Sequence, residues 1–374
     1  MASRWLYLDF VSSRREIHYP VGLPTPRPVF DLDNDLITDL LGSRQVLVTV
    51  DAAVDDLYGD QIRGYFGSKT DTAGYLVIAS GELNKSWDQV ARVCGVALDS
   101  ELRRDAVIVA VGGGVVMDIV GFASSIYRRG VSYLRVPTTL VGLVDVGVGL
   151  KNGINFQGRK NILGAFHPPL GTITDLRFLR TLDEREIACG IAEMIKIALV
   201  KDDKLFDLLE RSASTLMESK FQVPGDVATM IIARAQRALK EEIELNPLEL
   251  DHRRLVDFGH TFSPDMETKS GYLLRHGEAV ALDMILSTFI AVRRMLCPED
   301  VIVRLKRLYG RVGLPQSQAV CGVNDLAGAL DRARAHRGGK LNLVVPVRVG
   351  GGTFIQDVEI RELEEALAYA RDCR

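Results

Sequence analysis

The sequence predicts an α/β protein in two parts. Residues 1–180 read as a parallel, doubly wound sheet with covering helices, and residues 181–374 read as mostly helical. Three observations predict this. A β-branched run, Asp105-Ala-Val-Ile-Val-Ala-Val111, leads into Gly112-Gly113-Gly114 and then a helical pattern with Val116, Ile119, Val120 and Ala123 apolar. Such a short unbroken apolar run has the look of a strand buried on both faces. Strand-like and helix-like segments alternate up to about residue 177, as parallel βα units do. After about residue 180 strand signals nearly vanish and helical periodicity takes over.

Taken in order, residues 1–30 read as an opening strand and a loop punctuated by Pro20, Pro24, Pro26 and Pro28. Residues 45–50 are apolar and β-branched, and Asp51 ends them. An acid there is either a partner for a ribose hydroxyl or the N-cap of the following helix. Residues 75–79 read as a strand, Gly81-Glu82-Leu83-Asn84-Lys85 as a turn and residues 86–98 as a helix. In the second part residues 183–201, 204–217, 227–245, 277–296 and 299–308 favour helix. Residues 341–349 and 353–354 return to strand, and a last helical segment covers 360–370.

Composition is that of an ordinary globular chain: 47% hydrophobic and 25% charged over 374 residues. The net charge of −3 carries no basic excess that would point to nucleic acid. The five cysteines are scattered without a CxxC pair, which argues against a disulfide framework or a cysteine metal site. No signal-peptide core and no uncharged apolar run of spanning length is seen, so a reducing, cytoplasmic setting without membrane contact is the expectation.

Two constellations carry chemistry. Strand, glycine turn and helix N-terminus make an anion site, because free N–H groups and the helix dipole both face the ligand. The segments after it are unusually polar for packing alone: Arg128-Arg129-Gly130, Pro137-Thr138-Thr139, Lys151-Asn152-Gly153 and Gly158-Arg159-Lys160-Asn161. Lys85, Arg129, Lys151, Lys160 and Lys196 sit in glycine-rich or apolar context, which suits an anionic ligand such as phosphate. In the helical part, Glu193, His260 and His276 form a two-histidine, one-carboxylate set of the kind that holds catalytic zinc. They are far apart in sequence, so cap, turn and surface roles stay open for each. Glu193 is flanked by Ile191-Ala192 and Met194-Ile195, where an unpartnered carboxylate would be costly.

Together these motifs resemble the sugar phosphate cyclases, the superfamily of dehydroquinate synthase. The resemblance rests on GGGxxxD (112–118), PTT (137–139), KxGxN (151–155), GxKN (158–161), AEMxK (192–196), GHT (259–261) and HGEAV (276–280). It implies a Rossmann-like NAD-binding domain, a helical metal- and substrate-binding domain with the catalytic cleft between them, and a homodimer. It further implies that Glu193, His260 and His276 bind zinc or cobalt. Gly113, Gly114, Val115, Asp118, Thr138, Thr139, Lys160 and Thr181 would contact NAD, with Asp51, Glu82 and Lys85 near its adenosine part. Lys151, Lys160, Asn161, Lys196 and Asp145 would serve the substrate, a small sugar phosphate. Arg129 looks like the arginine that reaches the neighbouring subunit's phosphate site.

The departures bear on which substrate. Dehydroquinate synthases read GHTxGH, but here the second histidine is Pro264. Their asparagine before GHT is Asp257, and a Lys-Lys pair is Ala335-His336. A lysine that such enzymes place ahead of Asp257 falls at Leu239, next to Lys240. Loss of cations suits a substrate without a carboxylate, because an unpaired buried cation is costly; Asp257 and His336 can instead bond sugar hydroxyls. Phe262-Ser263-Pro264 with Asp257 and His336 is most similar to the branch that cyclises sedoheptulose 7-phosphate to 2-epi-5-epi-valiolone. The resemblance implies transient oxidation by NAD, phosphate elimination, re-reduction, ring opening and an aldol closure, with no net redox. Branches forming 2-epi-valiolone or desmethyl-4-deoxygadusol from the same sugar phosphate are alternatives, followed by dehydroquinate synthase itself. Polyol dehydrogenases share the general architecture but release NADH, and a non-catalytic relative would not need an intact ligand set.

Overall fold

In the computed structural model the described residues are 5–12, 15–22, 24–317, 320–336 and 338–372, and the side chains at 5, 8–12, 15–17, 336 and 372 lie outside that description. The chain forms two compact units, Met1–Thr181 and Leu182–Arg374.

The first unit contains β1 (Trp5–Ser12), β2 (Arg15–Gly22), α1 (Leu36–Leu41), β3 (Gln45–Asp51), α2 (Ala52–Lys69), β4 (Asp71–Ile78) and α3 (Trp87–Asp99). It continues with β5 (Val107–Gly112), α4 (Gly114–Ile126), β6 (Ser132–Pro137), β7 (Lys151–Phe156), β8 (Arg159–Phe166) and β9 (Gly171–Thr172). Seven strands form one sheet in the order β1-β2-β9-β6-β5-β3-β4. From β2 to β4 every neighbour pairs parallel, and only β1 runs antiparallel, against β2. The central strands are apolar at successive positions because both faces are covered. Leu47, Ile108 and Ala110 pack with Val90, Val93 and Val116 on one side. Val46, Val48, Val50, Val107, Val109 and Val111 pack with Ile37, Ile62, Tyr65 and Phe66 on the other. The period of two sorts each strand between the two layers, and each fully buried aliphatic side chain contributes roughly 1.5–3 kcal/mol.

The chain leaves β3 through α2 to β4 on one side, then returns through α3 to β5 on the other side of β3. Strand order therefore reverses between β3 and β5, and the carboxyl ends there open a crevice. Asp51 ends β3 and Gly112 ends β5.

Two features of this unit differ from the sequence expectation. The N-terminal segment is a full hairpin rather than a single strand and loop. The polar stretch after residue 150 folds as an antiparallel hairpin of its own, β7 with β8. Interior glycines and a largely exposed β8 hide its strand signal. Gly121 of α4 lets the hairpin dock, since a Cβ there would overlap Asn152 Oδ1 at 1.8 Å.

The second unit contains α5 (Glu184–Lys201), α6 (Asp203–Glu218), α7 (Gly225–Leu245), α8 (Ser263–Lys269), α9 (His276–Arg293), α10 (Glu299–Val312), α11 (Val323–His336), β10 (Leu343–Arg348), β11 (Gly351–Ile355) and α12 (Ile360–Asp372). Helices α5 and α9 are buried almost along their length and form its centre, as helices apolar on all sides must. The sequence pattern does not show helices α8 and α11. Pro264 looks like a breaker, yet it occupies the first turn of α8, where its missing N–H costs nothing. No helix among the described residues is long and apolar enough to cross a membrane.

Candidate active site

In the first unit the site begins at the glycine turn. Helix α4 starts at Gly114 with Gly113 as its N-cap and no side-chain cap bond, so the positive end of its dipole stands at the carboxyl end of β5. The segment after β6 closes over the turn. Thr138 donates its N–H to Gly112 O at 2.9 Å, and Thr139 Oγ1 accepts from Gly142 N–H at 3.1 Å. A Cβ on Gly113 would lie 3.0 Å from Thr139 Cγ2, and one on Gly114 would lie 3.2 Å from Val146 Cγ2. The glycines thus leave a cradle that side chains would fill, and pyrophosphate fits it. Val115 follows in the first turn of α4. Asp51 caps α2, accepting from Ala53 N–H at 2.9 Å and from Ser80 Oγ at 2.6 Å, so of its two open roles the cap is the one observed.

Beside the cradle lies a polar network. Lys85 is buried, ion-pairs with Asp118 of α4 and donates to Asn161 Oδ1 at 2.7 Å. The pairing is what makes its burial tolerable. Asn155 donates from Nδ2 to Glu82 Oε1 at 2.9 Å, and its Oδ1 accepts from Asn161 N–H at 3.1 Å. Lys160 Nζ stands 3.5 Å from the same Glu82 oxygen. Asn161 takes φ +53°, a left-handed conformation that asparagine tolerates better than most residues. Six polar residues thus tie α4 to the tip of the β7–β8 hairpin.

The remaining residues flagged in this unit are spread along it. Lys151 opens β7 and is exposed. Asp145 lies in a π-turn, Gly142–Val146, a rare geometry that is enriched at functional sites. Exposed Arg129 ends the turn Tyr127–Arg129 with φ +64°, directly after Arg128 at +48°. Thr181 Oγ1 donates to Phe178 O at 3.1 Å.

The second unit holds the metal-type cluster. Glu193 sits mid-way along α5, His260 in the turn after residues 255–257, and His276 is the first residue of α9. One donor atom from each lies within 4.8 Å of the others. Donors about 2 Å from a shared ion are roughly 3–4 Å apart, so small side-chain movements close this set on zinc or cobalt. Glu193 supplies the test of fit. Its Oε1 is 3.1 Å from His276 Nε2 and its Oε2 is 2.6 Å from Lys196 Nζ, yet both oxygens are buried without a well-formed hydrogen bond. So buried a carboxylate, with Lys196 on one oxygen and an imidazole on the other, suits a dication shared with the two histidines. Burial would raise the Glu193 carboxyl, but Lys196 and the two imidazoles hold it well below the usual carboxylate range.

The imidazoles are oriented from behind. His260 Nδ1 is 3.1 Å from Phe258 O, and His276 Nδ1 is 3.1 Å from Glu267 Oε1. With Nδ1 of each ring turned to these oxygens, Nε2 is the nitrogen left to bind a metal once deprotonated, the usual arrangement around metal-binding histidines. Burial opposes charge on His276, but Glu267 and Glu193 on its two sides outweigh it and push its pKa up to about 10. Its side chain is 35% exposed, so solvent screens part of that effect. Loading with a cation therefore releases a proton here.

Packing brings these groups together. A Cβ on Gly277 would sit 2.3 Å from Cys189 Cα, so glycine alone lets α9 approach α5 at this point. Arg185 grips Glu278 with two bonds of 2.6 Å, and Arg275 grips Asp183 at 2.5 and 2.6 Å. The turn after His260 hangs on Asp283 of α9, whose Oδ2 accepts the N–H groups of Thr261, Phe262 and Ser263 at 2.8, 2.6 and 3.0 Å. Ser287 Oγ donates to its Oδ1 at 3.0 Å. Burial pushes the Asp283 carboxyl up to about 6 although these donors lower it. Asp257 pairs with Arg254 at 3.1 Å, and Arg254 also pairs with Glu249 at 2.7 Å.

Of the residues flagged in this unit, Glu193, Lys196, His260 and His276 converge, and Asp257 adjoins them through its carbonyl, which accepts from His260 N–H at 3.0 Å. His336 ends α11, and its side chain lies outside the described residues. Leu239 is buried, and Lys240 is engaged by Glu244 at 2.6 Å. Sequence reasoning missed Glu267, Asp283 and Arg254. Asp283 carried a signal, an acid inside the apolar run 279–286, since buried acids need partners. Glu267 carried little, because nothing local ties it to a residue nine places on.

Two family models match the chain: 3-dehydroquinate synthase N-terminal over residues 75–189 and 3-dehydroquinate synthase C-terminal over residues 190–334. A 2-epi-5-epi-valiolone synthase of Streptomyces glaucescens is 43% identical over 353 residues, covering 92% of this chain and 90% of that protein. One from Actinoplanes sp. is 43% identical over 369 residues, covering 95% and 91%. The solved structure of ValA, a 2-epi-5-epi-valiolone synthase from Streptomyces hygroscopicus subsp. jinggangensis with NAD+ and Zn2+ bound, aligns with TM-score 0.90 and 40% identity, covering 96% of this chain and 98% of that one.

Proposed function

We propose that this chain, which belongs to the 3-dehydroquinate synthase family, closes sedoheptulose 7-phosphate into 2-epi-5-epi-valiolone with loss of phosphate, as a cytoplasmic homodimer. The observation that carries the choice of substrate is the surroundings of the His260 turn. Where a carboxylated sugar would need cations, Asp257 shares one guanidinium with Glu249, Pro264 stands in place of an imidazole, and Leu239 is apolar and buried. An acid next to the substrate repels a carboxylate but accepts from hydroxyls, and sedoheptulose 7-phosphate offers hydroxyls.

The roles divide between the units. In the first, the α4 N-terminus with Gly113, Gly114 and Val115 holds the NAD pyrophosphate, closed in by Thr138 and Thr139. Asp118, Lys160 and Thr181 serve the same cofactor, and Asp51, Glu82 and Lys85 lie toward its adenosine part. Lys151, Lys160 and Asn161 neutralise and orient the phosphate, and Asp145 positions this group. Arg129 reaches the phosphate site of the second copy. In the second unit Glu193, His260 and His276 hold the divalent ion. Lys196, at 2.6 Å from Glu193, keeps a cationic donor beside it, and Asp257 with His336 bonds substrate hydroxyls. When bound, NAD supplies a reversible hydride acceptor and the ion a Lewis acid for vicinal hydroxyls.

The test is an incubation of the purified protein with NAD and zinc or cobalt, using sedoheptulose 7-phosphate in one tube and the carboxylated substrate of dehydroquinate synthase in another. Phosphate release from the first alone, without NADH build-up, and a product identified by NMR as 2-epi-5-epi-valiolone is the expected result. Turnover of the carboxylated sugar, or NADH accumulating from simple polyols, would overturn the proposal.

A further inference from the structure

We infer that Asp283 is the positioning residue of the metal-type cluster, and that α9 sets the spacing of both imidazoles through it; this rests on the assignment of Glu193, His260 and His276 as metal ligands. The backbone N–H groups of Thr261, Phe262 and Ser263 follow His260 directly and lead into α8, which has no side-chain cap of its own. Helix starts leave such donors unsatisfied. Here three of them converge on a single oxygen, Oδ2 of Asp283, brought in from a neighbouring helix. Asp283 is fully buried, and among the described residues it has no cationic partner. Its charge therefore serves those N–H groups and Ser287, not an ion pair.

The geometry forms a closed circuit. His276 begins α9, and Asp283 lies about two turns further along the same helix. Asp283 holds the turn that carries His260 and the start of α8. Glu267 on α8 returns to His276 Nδ1 at 3.1 Å. A second contact presses the same turn against the same helix. Gly259 takes φ +74°, and a Cβ on it would lie 2.9 Å from both Val280 Cγ1 and Met284 Cγ. Ser263 Oγ, donating to Gly259 O at 2.7 Å, closes the turn on itself. With the turn clamped at Asp283, the imidazoles cannot drift apart unless α9 itself moves.

The test compares the NAD-bound full-length protein with its Asp283→Ala, Asp283→Asn and Ser287→Ala variants. Zinc affinity is read by chelator competition, and donor geometry by the visible spectrum of the cobalt-loaded protein. Loss of an outer group of this kind weakens metal affinity by about 10- to 100-fold, so Asp283→Ala should fall in that range with an altered cobalt spectrum. Asn keeps a neutral acceptor and should fall between Ala and wild type. Ser287→Ala removes a bond from the same carboxylate but none to the turn, and should match wild type in both readouts. If Asp283→Ala does not fold, Asp283→Asn against Ser287→Ala decides. A weakened Asn variant beside an unchanged Ser287→Ala supports the inference; equal values overturn it. Wild-type zinc binding retained in a folded Asp283→Ala overturns it while leaving the ligand assignment intact. A wild-type protein that holds no zinc overturns both.

Discussion

The two units build their sites from different materials. In the first the proposed cofactor site is lined by backbone: an uncapped helix N-terminus, three glycines and a threonine pair. In the second the proposed metal site is lined by side chains drawn from α5, a turn and α9, each held by a further group. A backbone cradle needs only small residues in a local order, so it tolerates little bulk but needs few partners. A side-chain cluster concentrates charge in a dry place. It therefore needs outer hydrogen bonds to fix tautomers and an ion to neutralise its carboxylate.

If the units are separable in this way, variants should fail separately. The largest effect belongs to the ligands. Glu193→Ala and His260→Ala should lose bound metal and about 10³-fold or more in turnover, since a metal supplies several kcal/mol of barrier lowering. Metal content by plasma emission and phosphate release measure this, and NAD affinity should stay within about twofold if the contrast holds. A metal-free variant with full activity would remove the metal from the reading. Gly113→Val is the converse. A side chain pressed toward Thr139 should block the cradle and weaken NAD binding about 100-fold, the scale of one or two lost charge-assisted hydrogen bonds, with zinc affinity unchanged. Calorimetric titration with NAD and zinc separately would show whether the losses cross over.

Glu267→Gln sharpens the side-chain half of the comparison. The amide removes the charge facing His276 and should weaken zinc binding by about 10- to 100-fold, while the pKa of His276 in the metal-free protein falls. NMR titration of that imidazole separates this from general loosening. The smallest effect lies at the paired starts of α5 and α9. The Arg275 hydrogen bond holds the Asp183 carboxyl below its ordinary value. A depressed carboxylate contributes stability above its unfolded pKa of about 3.9 and loses it as pH falls through the lowered folded value. Asp183 is 55% exposed, so its share is at most about 1 kcal/mol. Asp183→Asn should melt slightly lower at neutral pH and converge with wild type in acid. A gap that persists at low pH would assign the loss to packing rather than charge.

The sequence by itself determined the parallel α/β character of the first unit, the glycine turn before α4 and the helical character of the second unit, and it singled out Glu193, His260 and His276 as candidate donors. The physical reason is that these are carried by periodicity or by unusual residue types in an apolar setting, such as Glu193 between isoleucines, and both are local. It did not determine the β7–β8 hairpin, whose glycines and exposed face erase the strand pattern, or α8, whose proline reads as a stop. The tertiary structure alone decided that Lys85, Asp118 and Asn161 share one network and that Asp51 caps α2. It alone decided that Gly277 admits Cys189, that Glu267 stands behind the His276 imidazole, and that Asp283 holds the turn after His260. Those contacts join segments far apart in the chain, and no local pattern encodes a distance that only packing sets.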